Sequence, residues 1–445
     1  MISPTSDGSA TRGQHPSVAS ATSARRARRT LVAMCGLLAY QGYTISINGV
    51  AAPWIATSFQ LSQSGIATLY ACISVSALGA LILARLADRI GRRRVLLGCL
   101  AATPVCALGA ALSFDLPLFA LSEILLNACI GATMSSATVM LAEELPIAQR
   151  AAGQSYGGLA MGFGSGWCVI VMPLLADAGY SWRWVFAVTV IGGLASPLLA
   201  RVMPESRRWQ HAEANGVIDG VRFSDVLNVR YRSRAIPMLI CAFLGTIAGA
   251  AASNWPYFHA VSIVRLSPDV ASTMVIVGGG IGMIGFPLGA WLCERFGRVP
   301  TVASAGPMLA AGTLWFYWGP PAALAWHAGW LAIGYCAFSI AVNAATVGAN
   351  SAATELFPTA LRNTMVGWFA LTSALASVIA QAAIALLSGP LGGLSTVVGY
   401  LGLLAIPNAI IFGVFVDETR GLPLEVAARE RGPISAPDGR NRDSC

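Results

Sequence analysis

One carboxylate lies deep inside an otherwise uncharged apolar stretch of this sequence. Glu123 falls within residues 117–141, which are long and apolar enough to cross a membrane. Ionisable side chains are costly inside a membrane and commonly mark a path for ions or protons. The position of Glu123 therefore predicts a site that binds a proton or another cation. A second interpretation stays open: the stretch begins near Leu116, so Glu123 could be a boundary residue in contact with water.

Uncharged polar and aromatic side chains in similar stretches could line a cavity for a small molecule. Amide groups fix the polar atoms of a ligand, whereas Trp and Tyr provide flat apolar walls. Taken singly, each such residue more often makes a contact between helices than a contact to a ligand. The candidates for a substrate cavity are Gln41, Tyr43, Thr44, Asn48, Asn127, Asn254, Trp255, Asn343 and Gln381.

The basic and sulfur-containing residues exclude several kinds of chemistry. All 28 basic residues are arginine, so the chain has no lysine for a Walker-type phosphate loop or for a Schiff base. The ten cysteines show no Cys-x-x-Cys spacing, and the apolar stretches contain no pattern of a nucleophile with a base or of metal ligands. We therefore predict that the chain is not an enzyme and has no cofactor and no metal site.

Twelve apolar stretches carry the candidate residues, and each predicts a membrane-spanning helix. Hydrophobic residues make up 56% of the 445 residues and charged residues only 11%, against ~25% charged in a soluble domain. Backbone groups in lipid must be hydrogen-bonded internally, and the stretches are too long for barrel strands. The predicted fold class is an all-α polytopic membrane protein. Spans 1 to 12 are residues 31–57, 65–87, 95–113, 117–141, 153–177, 184–203, 236–258, 269–292, 300–318, 324–353, 364–388 and 394–416.

The charged residues between the spans form short islands that repeat. Leu86-Ala-Asp-Arg-Ile-Gly-Arg-Arg-Arg returns, less complete, as Leu292-Cys-Glu-Arg-Phe-Gly-Arg, 206 residues later. Two further islands, at 143–150 and 205–207, recur at 355–362 and 418–420. Such a repeat indicates two copies of one six-helix unit, an architecture found in secondary transporters.

Opposite charges in these islands predict a cytoplasmic gate that pairs across the two units. A single exposed ion pair contributes only ~0–1 kcal/mol, but a network of several could bias an equilibrium between two conformations. The alternative is that these charges only set the topology and cap helix ends. The gate candidates are Asp88, Arg89, Gly91, Arg92, Glu144, Arg150, Glu205, Arg207, Glu294, Arg298, Glu355, Arg362, Glu418 and Arg420.

The placement of arginine orients the chain in the membrane. Only Arg183 and Arg265 fall on the side opposite the tails and the charged islands. Because positive charge marks the cytoplasmic side, both termini are predicted to be cytoplasmic. The net charge of +8 is then a topology signal and does not indicate nucleic-acid binding. The predicted units are a disordered tail (1–30), a first six-helix bundle (31–203), a cytoplasmic linker (204–235), a second six-helix bundle (236–416) and a cytoplasmic tail (417–445).

Several motifs resemble one transporter family. Asp88-Arg89-x-Gly91-Arg92-Arg93 is similar to the motif between helices 2 and 3 of the major facilitator superfamily, although Ala84 stands where that motif usually begins with glycine. Pro204-Glu205-Ser206-Arg207-Arg208-Trp209 resembles the end of helix 6 in sugar porters and metabolite–proton symporters. Trp182-Arg183-Trp184 and Asn254-Trp255-Pro256 look most like the branch of aromatic acid–proton symporters. The resemblance covers the whole chain.

The chain departs from that branch where the family carries charge inside the membrane. The family's Asp-Gly-Tyr-Asp in helix 1 reads Gln41-Gly42-Tyr43-Thr44 here, so both acids are missing. Glu123 stands where sugar porters have an arginine in helix 4, and Ala374 stands where the family has one in helix 11. No cavity arginine is therefore left to bind a carboxylate through two hydrogen bonds. These differences admit neutral or cationic substrates.

The resemblance implies a secondary transporter that works by alternating access, with the two bundles rocking around a central site. We expect proton-linked uptake of a small organic metabolite, aromatic or heterocyclic, across a bacterial plasma (inner) membrane. Two other functions stay open: proton-driven export of a toxic metabolite or drug, and a receptor on a transporter fold that binds a ligand without moving it. The expected partners are the substrate, protons and the lipid bilayer, without nucleic acid, and the protein is expected to be monomeric.

Overall fold

A computed structural model describes residues 18–144, 150–194, 201, 228, 231–319, 327–357 and 359–420. All the regular structure within these residues is helical, as the predicted fold class requires. The helices are α1 Val18–Ser58, α2 Gln63–Ser74, α3 Ser76–Ile90, α4 Arg92–Leu112, α5 Leu116–Glu144, α6 Arg150–Asp177, α7 Trp184–Gly193, α8 Arg232–Asn254, α9 Pro256–Phe258 with the π-helical turn His259–Ile263, α10 Pro268–Gly282, α11 Gly285–Arg295, α12 Arg298–Trp318, α13 His327–Glu355, α14 Thr359–Leu387, α15 Leu394–Gly402 and α16 Ala405–Phe415.

Ten of the twelve predicted spans correspond to described helical stretches that are long and apolar enough to cross a membrane. The described part of span 6 and the whole of span 9 are helical but do not meet both conditions. In span 6 the described helix is the short apolar α7, because residues 195–200 lie outside the described part. Span 9 is α12, which has 21 residues and contains Gly, Ser, Thr and Pro that lower its hydropathy.

The first helix begins earlier than predicted. Residues 18–30, assigned from the sequence to a disordered tail, form the first turns of α1. Alanine and arginine, both strong helix formers, dominate residues 24–29, and no glycine or proline separates them from span 1. The predicted linker 204–235 falls largely outside the described residues, so the division of the chain there stays a prediction.

Several spans are interrupted inside the membrane region. Span 7 breaks after Asn254, where Pro256 lacks the N–H that would continue the hydrogen-bond ladder. Spans 2, 8 and 12 bend more gently, between α2 and α3, α10 and α11, and α15 and α16, through one or two residues that keep right-handed helical angles. The break in span 7 is the one that places a large side chain, Trp255, at the core of the bundle.

Small residues let α1 and α6 touch along their backbones. A Cβ atom added at Gly42 would collide with the main-chain carbonyl of Met161 on α6. One added at Gly164 would collide in the same way with Ala39 on α1. Close approach through small residues is the usual basis of helix packing in lipid, where apolar contact alone gives no preference. Helix α14, in turn, packs both on α8 of its own bundle and on α2 of the first.

Candidate functional site

Glu123 is buried in the core of the first bundle. Its side chain has no exposed surface, which contradicts the interpretation of a boundary residue in contact with water. One turn later on α5, the Asn127 amide donates to Oε2 of Glu123 at 3.0 Å and to the Glu123 main-chain oxygen at 2.8 Å. Oε1 is also buried and has no hydrogen-bond partner among the described residues.

The surroundings of this carboxyl group are polar but uncharged. Asn48 on α1 presents a second amide close to it. The titratable side chains near Glu123 on other helices are Cys106 on α4 and Tyr70 on α2. No basic side chain of the described residues is among these groups, so the carboxyl group has no fixed counter-ion there.

A chain of contacts runs from Glu123 into the second bundle. The Tyr70 hydroxyl donates to the main-chain oxygen of Asn48. The Tyr70 ring lies against the ring of Trp255, with centroids 5.1 Å apart, and Nε1 of Trp255 donates to Oε1 of Gln381 on α14 at 3.2 Å. Four predicted cavity residues (Asn48, Asn127, Trp255 and Gln381) thus belong to one connected cluster with Glu123, which we call the Glu123 cluster.

Tyr70 is not among the candidates predicted from the sequence. It lies in an apolar run of span 2, where one more aromatic residue is expected as core. Its spacing from Asn48 carries no signal, because the two residues meet only once α1 and α2 are packed.

The side chains of three remaining cavity candidates donate hydrogen bonds to main-chain oxygens within the protein. The Tyr43 hydroxyl donates to the main-chain oxygen of Val185 on α7 at 3.0 Å. Thr44 donates to the Tyr40 carbonyl one turn earlier, at 2.9 Å. Asn343 on α13 donates at 2.9 Å to Gly282, the last residue of α10. These contacts match the alternative interpretation, in which a polar residue joins helices or closes a turn.

Gln41 and Asn254 differ from those three. Gln41 is completely buried, yet neither its Oε1 nor its Nε2 has a partner among the described residues. Asn254, at the end of α8, is exposed. A role for either residue in a substrate cavity stays a prediction.

A cavity of about 890 Å³ lies between α6 and α10. Its walls are mainly apolar and include the aromatic rings of Phe163, Trp167 and Tyr335. None of the predicted cavity residues lines this space. Its position between helices of different bundles makes it a lateral groove, separate from the Glu123 cluster.

The glycine of the first charged island keeps the same backbone conformation in both copies. Gly91 and Gly297 have positive φ angles of 105° and 118°, a region that residues with a side chain rarely adopt. Each glycine joins two helices, α3 to α4 and α11 to α12. The glycine of this motif is therefore required by the backbone, and at this island the sequence repeat is also a repeat of structure.

Glu355 and Glu418 of the charged islands join helices of the second bundle to one another. Arg298 and Glu355 pair at 2.9 Å, between the start of α12 and the end of α13. Glu418 accepts from the main-chain N–H groups of Arg298 and Val299, at 3.0 and 2.9 Å, and so caps α12. Pairing across the two bundles stays a prediction. The side chains of Asp88, Arg89, Glu144, Arg150, Glu205, Arg207 and Arg362 lie outside the described part of the structure.

At the end of the molecule opposite the charged islands, which we call the distal end, the two bundles meet. The Trp54 and Tyr257 rings stack with centroids 6.0 Å apart. Oε1 of Gln63, at the start of α2, accepts from the main-chain N–H of Leu394, at the start of α15, at 3.1 Å. With the contact between Tyr70 and Trp255, these interactions close the distal end in this structure.

The aromatic motif before α7 stabilises the distal end of the first bundle. Trp182 donates from Nε1 to the Ser58 hydroxyl at 2.8 Å, which connects α7 to the end of α1. Arg183 donates to the Ala111 carbonyl at the end of α4, at 2.9 Å. This motif therefore holds helices together.

The family model of the Major Facilitator Superfamily matches residues 32–381. The chain belongs to this superfamily, and it is a multi-pass membrane transporter. The predicted resemblance and the predicted fold class are confirmed. Because the matched proteins are transporters, the expectation that the chain is not an enzyme is supported as well.

Three curated relatives carry the names of aromatic acids. The gallate transporter of Pseudomonas putida is 25% identical over 76% of this chain and 80% of its own length. The gentisate transporter of Corynebacterium glutamicum is 21% identical over 85% of both chains. A 3-(3-hydroxy-phenyl)propionate transporter of Escherichia coli is 29% identical over 39% of this chain and 44% of its own.

Solved structures share the fold at low sequence identity. The D-xylose–proton symporter has a TM-score of 0.69 and 22% identity, covering 88% of this chain and 98% of that one. A POT family transporter in complex with 5-aminolevulinic acid has a TM-score of 0.71 and 14% identity, covering 87% and 96%. At these identities the likeness establishes the fold alone.

Proposed function

We propose that this transporter moves a small aromatic or heterocyclic metabolite by alternating access, and that uptake is coupled to protons at Glu123. The observation that carries the proposal is the complete burial of Glu123 beside two amides and without a basic partner among the described residues. In the aromatic acid branch that this chain resembles, helix 1 usually carries acids that take part in proton coupling. Here helix 1 has Gln41 and Thr44 instead.

A bound proton explains why such a carboxyl group is tolerated. An ionised carboxylate taken out of water without a counter-ion costs several kcal/mol, and a proton removes that cost. The Asn127 amide donates a hydrogen bond to the carboxyl group, and such a bond strengthens when the carboxylate is ionised as the site opens to water. A site that is neutral when closed and ionised when open is what coupling to a proton gradient requires.

The substrate class rests on the relatives and on the lack of internal positive charge. The names of the gallate and gentisate transporters support an aromatic ring as the shared part of the substrate. By the alignment of helices 4 and 11, Glu123 and Ala374 replace the family's arginines. Neutral and cationic aromatic compounds therefore suit this chain better than the acids themselves.

The test is transport by the purified chain in proteoliposomes. Labelled gallate and gentisate, their neutral amides and a cationic aromatic amine are the probes. Counterflow without a gradient measures exchange, and accumulation under an inward proton gradient measures coupling. In Glu123→Gln, accumulation should fall by about 10-fold or more, within the usual range of coupling between two sites, while counterflow persists.

Two outcomes would overturn the proposal in different ways. Undiminished accumulation in Glu123→Gln would exclude coupling at this residue. Absence of counterflow with every probe would contradict transport of this substrate class and favour a receptor. Asp115→Asn, which removes an exposed carboxylate just before α5, is a control for a general effect of changed charge.

A further inference from the structure

We propose that Tyr70 is a positioning residue through which the Glu123 site controls closure of the distal end. The inference rests on the proposed function, because it assumes that Glu123 gains and loses a proton. It adds a path by which that event reaches the second bundle. Tyr70 contacts the Asn48 main chain and the Trp255 ring. Its role is to connect two parts that move.

The first link joins Glu123 to the backbone of α1. The Asn48 side chain lies beside the carboxyl group, and the Asn48 main-chain oxygen accepts a hydrogen bond from the Tyr70 hydroxyl. An ionised carboxylate holds amide donors about twice as strongly as a neutral one. Loss of the proton therefore draws Asn48 towards α5, and the hydrogen bond transmits that displacement to Tyr70.

The second link joins Tyr70 to the break in span 7. The Tyr70 ring packs on Trp255, which is completely buried and held by Gln381 on α14. Trp255 immediately precedes Pro256, where the helical ladder is interrupted. A segment next to a missing hydrogen bond can turn at low cost, so movement of the Tyr70 ring is converted into movement of the distal part of span 7.

Glu123 is the group whose charge changes within this path. The titratable side chains that face it are Tyr70 from α2 and Cys106 from α4, and α1 presents the amide of Asn48. Tyrosine and cysteine side chains are both neutral at about pH 7. Of these three groups, only the carboxyl group is therefore expected to change charge during a transport cycle.

The sequence offers a matched control for the hydroxyl group. Tyr43 is also a buried tyrosine whose hydroxyl donates to a main-chain carbonyl, that of Val185. That bond connects α1 to α7 inside the first bundle and does not reach the second. Tyr70→Phe and Tyr43→Phe thus remove the same atom and the same kind of bond, and both keep the ring.

The first experiment needs no substrate. The full chain is labelled with fluorotryptophan, and Trp255→Phe identifies the Trp255 resonance in the fluorine NMR spectrum. Infrared difference spectroscopy follows the carboxylic acid band that Glu123→Gln removes. The wild-type Trp255 resonance should shift with pH together with that band, and the shift should persist in Tyr43→Phe. In Tyr70→Phe the carboxyl band should still titrate while the Trp255 resonance no longer follows it.

Transport gives the second readout. Accumulation relative to counterflow should fall by about 10-fold in Tyr70→Phe. In the double variant Tyr70→Phe with Glu123→Gln, accumulation should be no lower than in Glu123→Gln alone, because the two residues act in one path. A Trp255 resonance that titrates unchanged in Tyr70→Phe would overturn the role of Tyr70. A carboxyl band that never titrates would instead overturn the proposed function. Equal losses in Tyr43→Phe and Tyr70→Phe would reduce Tyr70 to a structural role.

Discussion

At the scale of single residues, two buried glutamines present a contrast. The side-chain oxygen of Gln381 accepts from Trp255, whereas both polar atoms of the Gln41 amide lack a partner among the described residues. Buried polar groups in native proteins are nearly always hydrogen-bonded, so each exception calls for a partner such as water or a ligand. Gln41 replaces an acid of the family motif, which makes it the strongest remaining cavity candidate.

Replacing each glutamine by leucine should separate these two situations. Gln381→Leu leaves the Trp255 N–H buried without an acceptor, which should lower the free energy of unfolding by ~1–3 kcal/mol. Gln41→Leu removes two unpaired atoms, so the melting temperature in detergent should stay the same or rise, while counterflow falls. A drop in melting temperature in Gln41→Leu as large as that in Gln381→Leu would mean that Gln41 has a structural role.

At the scale of helices, the hydropathy pattern carried most of the information. Long apolar runs predicted the spans because lipid requires helices wherever the chain crosses. The start of α1 at Val18 was missed because residues before the membrane carry no apolar signal, although alanine and arginine favour a helix there. Pro256 marks the break in span 7 in the sequence. The gentle bends of spans 2 and 12 have no proline or glycine at the bend itself and depend on packing.

The contact between α1 and α6 gives a test at this scale. Gly42→Ala places a methyl group against the Met161 carbonyl, which should destabilise the protein by ~1–3 kcal/mol, as overpacking usually does. Gly36→Ala, in the same helix, meets no atom within 4 Å, and should be neutral or stabilising by up to ~1 kcal/mol. Thermal unfolding in detergent compares the two variants. Equal melting temperatures would show that the helices can separate at little cost.

At the scale of the whole molecule, the distal closure depends on a few contacts between the bundles. Gln63 in the first bundle accepts a hydrogen bond from the first turn of α15 in the second. The N–H groups at the start of a helix have no partner inside that helix. Opening the distal end therefore exposes the Leu394 amide to water, and the closed state is stabilised by the bond.

Hydrogen exchange can detect the loss of this contact. In Gln63→Ala the amides at the start of α15 should exchange faster by about 2- to 10-fold, the effect of losing one hydrogen bond. Gln60→Asn is the control, because it changes a neighbouring residue with a positive φ of 54° to one that tolerates that conformation. An unchanged rate in Gln63→Ala would mean that other contacts alone hold the distal end closed.

Most residues of the candidate site could be predicted from the sequence, but the contacts between them could not. Glu123 stood out as a carboxylate at membrane depth, and Asn48, Asn127, Trp255 and Gln381 as polar or amphipathic residues within spans. Their assembly into one cluster depends on which faces of the helices meet, and a single sequence does not contain that information. Tyr70 was missed for the same reason, because its function comes from two neighbours on other helices.

The cap on α12 has a consequence for the order in which the chain is assembled. The first amides of α12 are satisfied by Glu418, which follows Arg298 by 120 residues. During synthesis, α12 is therefore made and inserted long before its capping carboxylate exists. Water or lipid headgroups must accept hydrogen bonds from these amides until residue 418 has been synthesised. The second bundle can reach its final form only after that point, so its folding is completed late in biogenesis.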